Sequence, residues 1–445
     1  MFRRLAISLL LAGAALDAGA RTRPHYGGTL HVEIAGDPWE RPTGVARRLV
    51  YDGLTQFDAG GALSPALAVG WEQDNNFHRW QFRLRLGVRF HDGTALTSAV
   101  VAASLATSCG SACPWDAVKA VGPLVIFTSD NPMPNLPALL ASDQFLIALT
   151  GTGNGGTAAG TGPFQVTGFN NGVLSLAANE NCWLGRPFAD AIEIRVRRPV
   201  RDQWLDLGSG HADVVEVPAE QLRQAQQQRL SVISSPPITL VALELGDAGA
   251  LANTNLRAAI AAAVDRSALY NVIFQKQGEV TASLLPQRMS GYSFLFPTER
   301  DLNKAQALRG GLAAGTLTMS ADGDAAMQLA AQRIALNLRE SGINVQMVPA
   351  GVRHADLMLR RFTISGNDPA AALERILWDA GQLAAVSEQS SADLYKRERT
   401  ILENYRIIPL VDLPLGYASG PRVRDLRLRA DGSLDLAGAS LEDVR

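Results

Sequence analysis

The chain has 445 residues, 47% hydrophobic and 19% charged, with a formal net charge of -2. That length exceeds one ordinary domain core and predicts two or three domains. The composition excludes a disordered polyelectrolyte, and the absence of a long basic run excludes a nucleic-acid binder built on a positive face.

Met1, Phe2, Arg3 and Arg4 make a short basic start, followed by an apolar run from Leu5 to Leu16. Asp17-Ala18-Gly19-Ala20 then places small residues before Arg21. This layout predicts a secretory signal over residues 1–20, cleaved after Ala20. The run falls short of the roughly 20 apolar residues a membrane span needs, and no later segment qualifies, so no stable membrane insertion is expected. No cysteine follows the run, so a lipid anchor is not expected and the exported chain is expected in a periplasm. Cys109 and Cys113 are close enough to form a disulfide if their stretch is a loop, whereas a continuous helix there requires distortion. Small buried apolar cysteines are the other reading.

Thr29 to Ile34 predicts a strand, followed by the loop Ala35-Gly36-Asp37-Pro38-Trp39. Val45 to Leu54 predicts a helix ending near Gly53. Trp80, Phe82 and Leu84 alternate with Gln81, Arg83 and Arg85, the period-two pattern of a half-buried strand. Asp92-Gly93 predicts a turn, and Thr97 an N-cap for a helix from Ser98 to Leu105. Residues 151–162, rich in Gly and Thr, predict a flexible crossing. Strands follow at Val173 to Ala177, around Ile192, Ile194 and Val196, and at Leu240 to Leu245. Leu256 to Phe274 predicts one long helix containing Asp265-Arg266. Leu317 to Ser320, Ala325 to Ser341 and Ile343 to Val348 predict strand, helix, strand, the alternation of a wound α/β sheet.

The six histidines (His25, His31, His78, His91, His211 and His354) form no His-Glu-x-x-His pair, and neither Cys-x-x-Cys nor Gly-x-Ser-x-Gly is present. The glycine-rich Gly153-Asn154-Gly155-Gly156 lacks the Lys-Ser/Thr that would cradle phosphate. His91 beside the Asp92-Gly93 turn is a weak metal candidate; the turn role explains it. Glu398 and Glu403 with Lys396 and Arg399 predict a solvated helix face. No catalytic set, metal site or cofactor is expected, and the chain is not expected to be an enzyme.

From Leu49 to Leu105, Val50-Tyr51-Asp52-Gly53-Leu54, Leu63-Ser64-Pro65-Ala66-Leu67-Ala68, Trp71, Trp80 through Arg85 and Gly87 through Thr94 occur in order. Gly160-Thr161-Gly162-Pro163-Phe164, Asn179 with Trp183, Gly185 and Pro187, Gly210-His211-Ala212-Asp213, and Ala263-Val264-Asp265-Arg266 continue the series. Together they resemble the family 5 extracellular solute-binding proteins of ABC transporters, which include dipeptide, oligopeptide and nickel-complex binders. The resemblance implies an α/β, two-lobed periplasmic-binding-protein type II-like fold with an extra subdomain and a shortened second lobe. Implied boundaries are a first segment of lobe 1 at 21–52, the extra subdomain at 53–159, a second segment at 160–239, lobe 2 at 240–409 and a return at 410–445. It also implies capture of a peptide-like or other small solute by hinge closure and delivery to ABC permease subunits, by a monomer. A shortened offshoot acting as a sensor or partner-binding module is the alternative.

In peptide binders the region around Phe362 to Pro369 resembles Trp-x-x-Asp followed by Pro, with the Asp pairing the peptide ammonium. Phe362 stands at the Trp position here and Ser365 at the Asp position, and Ser365 supplies no charge. Asp368 is then the nearest acid, or an Asx cap in the Asp-Pro turn. The candidate ligand-binding residues are Asp37 and Trp39 on the first lobe and Phe362, Ser365 and Asp368 on the second, with packing or turn formation as their other reading.

Overall fold

The computed structural model describes residues 25–39, 44–108, 113–149, 158–292, 294–312, 315–321, 324–349, 355–364, 366–382, 385–387, 390–429 and 432–442. The expected signal segment and Cys109 lie outside them. Two large sheets dominate. The first has seven strands in the order Ser231–Ser234, Gly416–Ser419, Val214–Glu216, Thr29–Glu33, Ala191–Arg195, Val173–Ala178 and Phe164–Asn170. Thr29–Glu33 lies parallel to both its neighbours, and the outer pairs are antiparallel. The second has six strands in the order Glu279–Val280, Ile407–Leu413, Thr239–Leu245, Leu357–Thr363, Thr316–Ala321 and Asn344–Met347.

Each sheet carries its own apolar core. Leu30, Val32, Phe164, Leu176, Ile192 and Ile194 fill the first. In the second sheet, Leu243, Leu317, Met319 and Leu359 pack against the helix Ala325–Glu340 on one face. Leu240, Ala242 and Phe362 pack against the helix Pro369–Asp379 on the other. Between the early segments of the first sheet sits a separate unit. Its four-stranded sheet runs in the order Ala68–Gln73, Arg79–Leu84, Leu124–Thr128 and Ala117–Val121, with a core of Trp80, Phe82, Phe127 and Phe145. Cys113 in this unit is disulfide-bonded, whereas Cys182 is free and buried.

The Val-Tyr-Asp-Gly-Leu and Gly-Thr-Gly motifs meet in space. Asp52 Oδ2 accepts a hydrogen bond from Thr161 Oγ1 at 2.8 Å and from Trp183 Nε1 at 2.9 Å. A Cβ on Gly160 would lie 1.8 Å from the Val50 carbonyl oxygen, so only glycine lets these backbones approach. His91 accepts from Gly160 N at 3.3 Å through Nδ1 and lies 3.0 Å from the Gly162 oxygen through Nε2. The donor on one side fixes the neutral tautomer with the proton on Nε2. His91 is therefore a clamp on this strand.

Several local expectations are met. Gly93 has φ +87°, and Thr97 Oγ1 accepts from Val100 N at 3.3 Å at the start of Ser98–Ser108. Two differ. The helix expected over 45–54 is only Arg47–Val50, because Tyr51 is extended and Asp52 is drawn to Thr161. The long helix expected over 256–274 breaks at Val264, whose ψ is 127°. Asp265 then caps a new turn by accepting from Ala268 N at 2.9 Å.

Pro409 lies in a fully buried central strand, a position that costs a ladder hydrogen bond. A register shift between Val241 and Ala242 absorbs it, and Arg266 Nε donates to the Pro409 carbonyl at 2.9 Å.

Asp52→Ala leaves buried Thr161 and the Trp183 indole without their acceptor. A loss of about 1–3 kcal/mol in chemical-denaturation stability is expected. An unchanged midpoint would show that the motif pairing contributes nothing.

Candidate ligand-binding cleft

The chain passes between the two large sheets twice, through residues 235–238 and residues 414–415. These crossings bond to each other. Ser235 N donates to the Leu415 oxygen at 2.9 Å, Ile238 N to the Leu413 oxygen at 3.1 Å, and Leu415 N to Ser235 Oγ at 2.9 Å. Proline at 236, 237 and 414 restricts φ in both. A narrow, hydrogen-bonded double crossing is the geometry of a hinge.

Beside the hinge opens a cavity of about 610 Å³. Its walls come from four places: the Ala59–Gly61 turn of the hairpin, the hinge residues around Ser234 and Ser235, Arg288 with Met289, and Arg427 with Arg429. Gly366 and Asn367 complete it. The lining mixes apolar side chains (Ile233, Ile238, Leu426 and Leu428) with a few polar groups, as small-solute sites do.

On another side the two halves touch. Asn367 N donates to the Gly61 oxygen at 3.0 Å. Gly366 has φ +76°, and a Cβ there would lie 2.5 Å from the Phe57 ring, so this approach requires glycine. Trp378 stacks on Phe145 with centroids 5.0 Å apart and planes 11° from parallel. Asn135 Nδ2 donates to Glu374 Oε2 at 2.7 Å, and burial raises the Glu374 carboxyl.

The residues expected to hold ligand are placed as follows. Asp37 Oδ1 accepts from Trp39 N at 2.8 Å. Trp39 packs on the first core, its ring centroid 6.2 Å from that of Tyr51. Phe362 is 1% exposed in the second core beneath the Arg360 guanidinium. Asp368 caps the helix Pro369–Asp379, accepting from Ala370 N and Ala371 N at 2.9 and 3.0 Å. Ser365 lies outside the described residues. None of the four described side chains lines the cavity, although Gly366 and Asn367 between them do. The contributions of Arg288, Arg427 and Arg429 were missed, because nothing in the sequence joins these segments. Among the described residues no group of histidine, cysteine and acidic side chains is arranged to hold a metal ion.

Glu398 overturns the expectation of a solvated face. It is fully buried, accepting from Leu284 N, Leu285 N and the Tyr292 hydroxyl. Burial raises its carboxyl to about 7. Glu403 and Lys396 do sit in exposed pairs, with Arg399 and Asp393. Nearby Asp412, 1% exposed and with Oδ1 unpartnered, is pushed up to about 8 by burial and then by Glu279, with the Arg288 guanidinium opposing.

A double crossing, two sheets with separate cores and a crevice walled by both halves define the two-lobed fold of the solute-binding-protein type. The chain aligns with AgaA from A.tumefacien R10, solved in complex with agropinic acid, at a TM-score of 0.79 and 19% identity, over 94% of this chain and 99% of that one. That likeness shows the fold. The model of the bacterial extracellular solute-binding proteins, family 5 middle, matches residues 62–381, and the chain belongs to this family. It is 35% identical over 154 residues to the uncharacterized protein YhjP of Bacillus subtilis, covering 32% of this chain and 26% of that protein. It is 25% identical over 271 residues to the probable D,D-dipeptide-binding periplasmic protein DdpA of Escherichia coli, covering 54% of this chain and 52% of that one. The chain thus spans about half or less of these two relatives.

Between pH about 4 and 8 the unfolded chain releases the Asp412 proton while the folded chain keeps it, so this group makes stability fall as pH rises through that window. Asp412→Asn removes that slope. The stability of the variant relative to the parent is expected to rise by about 1–3 kcal/mol from pH 5 to pH 9. Parallel pH profiles from urea unfolding would exclude a buried, proton-retaining Asp412.

Proposed function

We propose that the chain is the periplasmic solute-binding component of an ABC importer, capturing a small solute between its lobes and delivering it to the permease without covalent chemistry. On this reading lobe 1 comprises residues 25–238 and 414–442, including the extra unit, and lobe 2 comprises residues 239–413. The observation that carries it is the cavity of about 610 Å³ walled by both halves of a chain that crosses between them only twice. No described helix is long and apolar enough to cross a membrane. Relatives bearing this fold take chemically different guests: DdpA is named for D,D-dipeptides and AgaA holds agropinic acid. The scaffold therefore does not fix the ligand; the cleft side chains do.

A ligand favours the closed arrangement only to the extent that it touches both walls. The Phe145–Trp378 stack and the Asn135–Glu374 bond join the two halves, and on this reading they favour closure. Small molecules released from protein purified under native conditions identify the guest by mass spectrometry, and its addition should lower the radius of gyration in X-ray scattering. A panel of solutes that neither binds nor changes that radius would sink the receptor reading.

Trp378→Ala removes an aromatic contact across the lobes that is worth about 1 kcal/mol. It should raise the radius of gyration of the free protein and weaken solute binding about fivefold to tenfold. A variant as compact as the parent, binding equally well, would show that this contact plays no part in closure.

A further inference from the structure

Three guanidinium groups line the cleft, and no acidic side chain does so among the described residues. They come from both walls. Arg288 belongs to the turn of helix Gln287–Ser290 on the six-stranded half, whereas Arg427 and Arg429 lie on the segment returning to the seven-stranded half. Their own partners leave charge over. The hydrogen bond from Arg288 goes to the uncharged Pro237 carbonyl, at 3.0 Å. Arg427, 69% exposed, approaches Asp425 only to 3.7 Å. Arg429 meets Asp435 at 3.4 Å.

The acids facing Arg288 from the strands packed against it are Asp412 and Glu279. Asp412 is buried behind the cleft and retains its proton to about pH 8, so it offers little compensation at neutral pH. Asp368 is turned to its own helix, where Oδ1 accepts two backbone hydrogen bonds. Asp425, Asp435 and the exposed Glu279 offset part of this charge, but closing the lobes still brings the Arg288 guanidinium toward those of Arg427 and Arg429. An anion between the walls converts that repulsion into attraction on both sides, whereas an ammonium group adds to it.

We infer that the cleft takes a small organic solute of net negative charge, gripped through its carboxylate or phosphate oxygens by Arg288 from one lobe and by Arg427 and Arg429 from the other. This rests on the cleft being the solute site and specifies what that site selects. A guanidinium fork fits carboxylate and phosphate alike, so the shared chemistry is the oxyanion. Asn367 and Ser234 also line the cleft and are available for the uncharged part of the same guest.

The test is a thermal-shift and calorimetric comparison on the full purified chain with six probes: citrate, glutarate, glycerol 3-phosphate, N-acetyl-trialanine, trialanine amide and spermidine. The first four are anions and the last two cations. Binding is expected only among the anions, citrate and glutarate reporting a carboxylate site and glycerol 3-phosphate a phosphate site. It should weaken by about tenfold or more in Arg288→Gln and again in Arg427→Gln, and decline with added salt. Circular dichroism melts of both variants check that they fold. If trialanine amide or spermidine binds and both variants bind it as well as the parent does, the charge inference is overturned while the cleft remains the solute site. If no probe of either sign binds, and the solute released from native protein is uncharged or absent, the inference is overturned; an absent solute counts against the receptor reading as well.

Discussion

The whole arrangement depends on how the chain passes between its two large sheets. Only residues 235–238 and 414–415 make the passage, and they run side by side, bonded through Ser235, Ile238 and Leu415. Two strands lashed together resist twisting but bend readily, because rotation about a pair of short segments breaks few contacts. Each sheet has its own core, built from different residues, and the space between them is free to become a cleft.

The extra unit reinforces this division while closing one side of it. Its Phe145 is fully buried, with Trp115 of the same unit beside it and Trp378 from the opposite half lying flat on it. Its Gly61 carbonyl takes the Asn367 amide. Among the described residues the contact includes one aromatic stack, a few hydrogen bonds and the Phe57 edge against Gly366. A contact of that kind suits halves that part and meet again. A continuous apolar seam would weld them.

Much of this was legible in the sequence where local chemistry decides structure. The alternation in Trp80–Leu84, the Thr97 cap and the Asp92-Gly93 turn all depend on neighbours a few residues away. The motif series located Asp52 and the Gly160–Gly162 segment before their contact could be known. What escaped depends on distant chain. Glu398 sits among charged residues, and only the approach of Leu284 and Leu285, 113 and more positions away, buries it. Apolar continuity through Leu256–Phe274 hid the break that Asp265 makes by capping afresh. The three cleft arginines were not singled out because the sequence does not show that their distant segments meet at one cavity. The stretch around Phe362–Pro369 supplies Gly366 and Asn367 to the cavity, whereas the side chains of Phe362 and Asp368 face the core or cap a helix.

That stretch shows how core, hinge and cleft are linked. Phe362 roots the strand in the second core, and two residues later the Ile364 amide donates to the Ile238 carbonyl at 2.7 Å, inside the first crossing. Gly366 turns with positive φ against Phe57, Asn367 reaches the hairpin and the cavity, and Asp368 starts the next helix. The described residues of this stretch thus reach the second core, the first crossing and the cleft wall. On the proposed reading, a guest held at Asn367 would act on a stretch bonded to the hairpin and, through Ile364, to the first crossing, which is how occupancy of the cleft would be linked to the hinge.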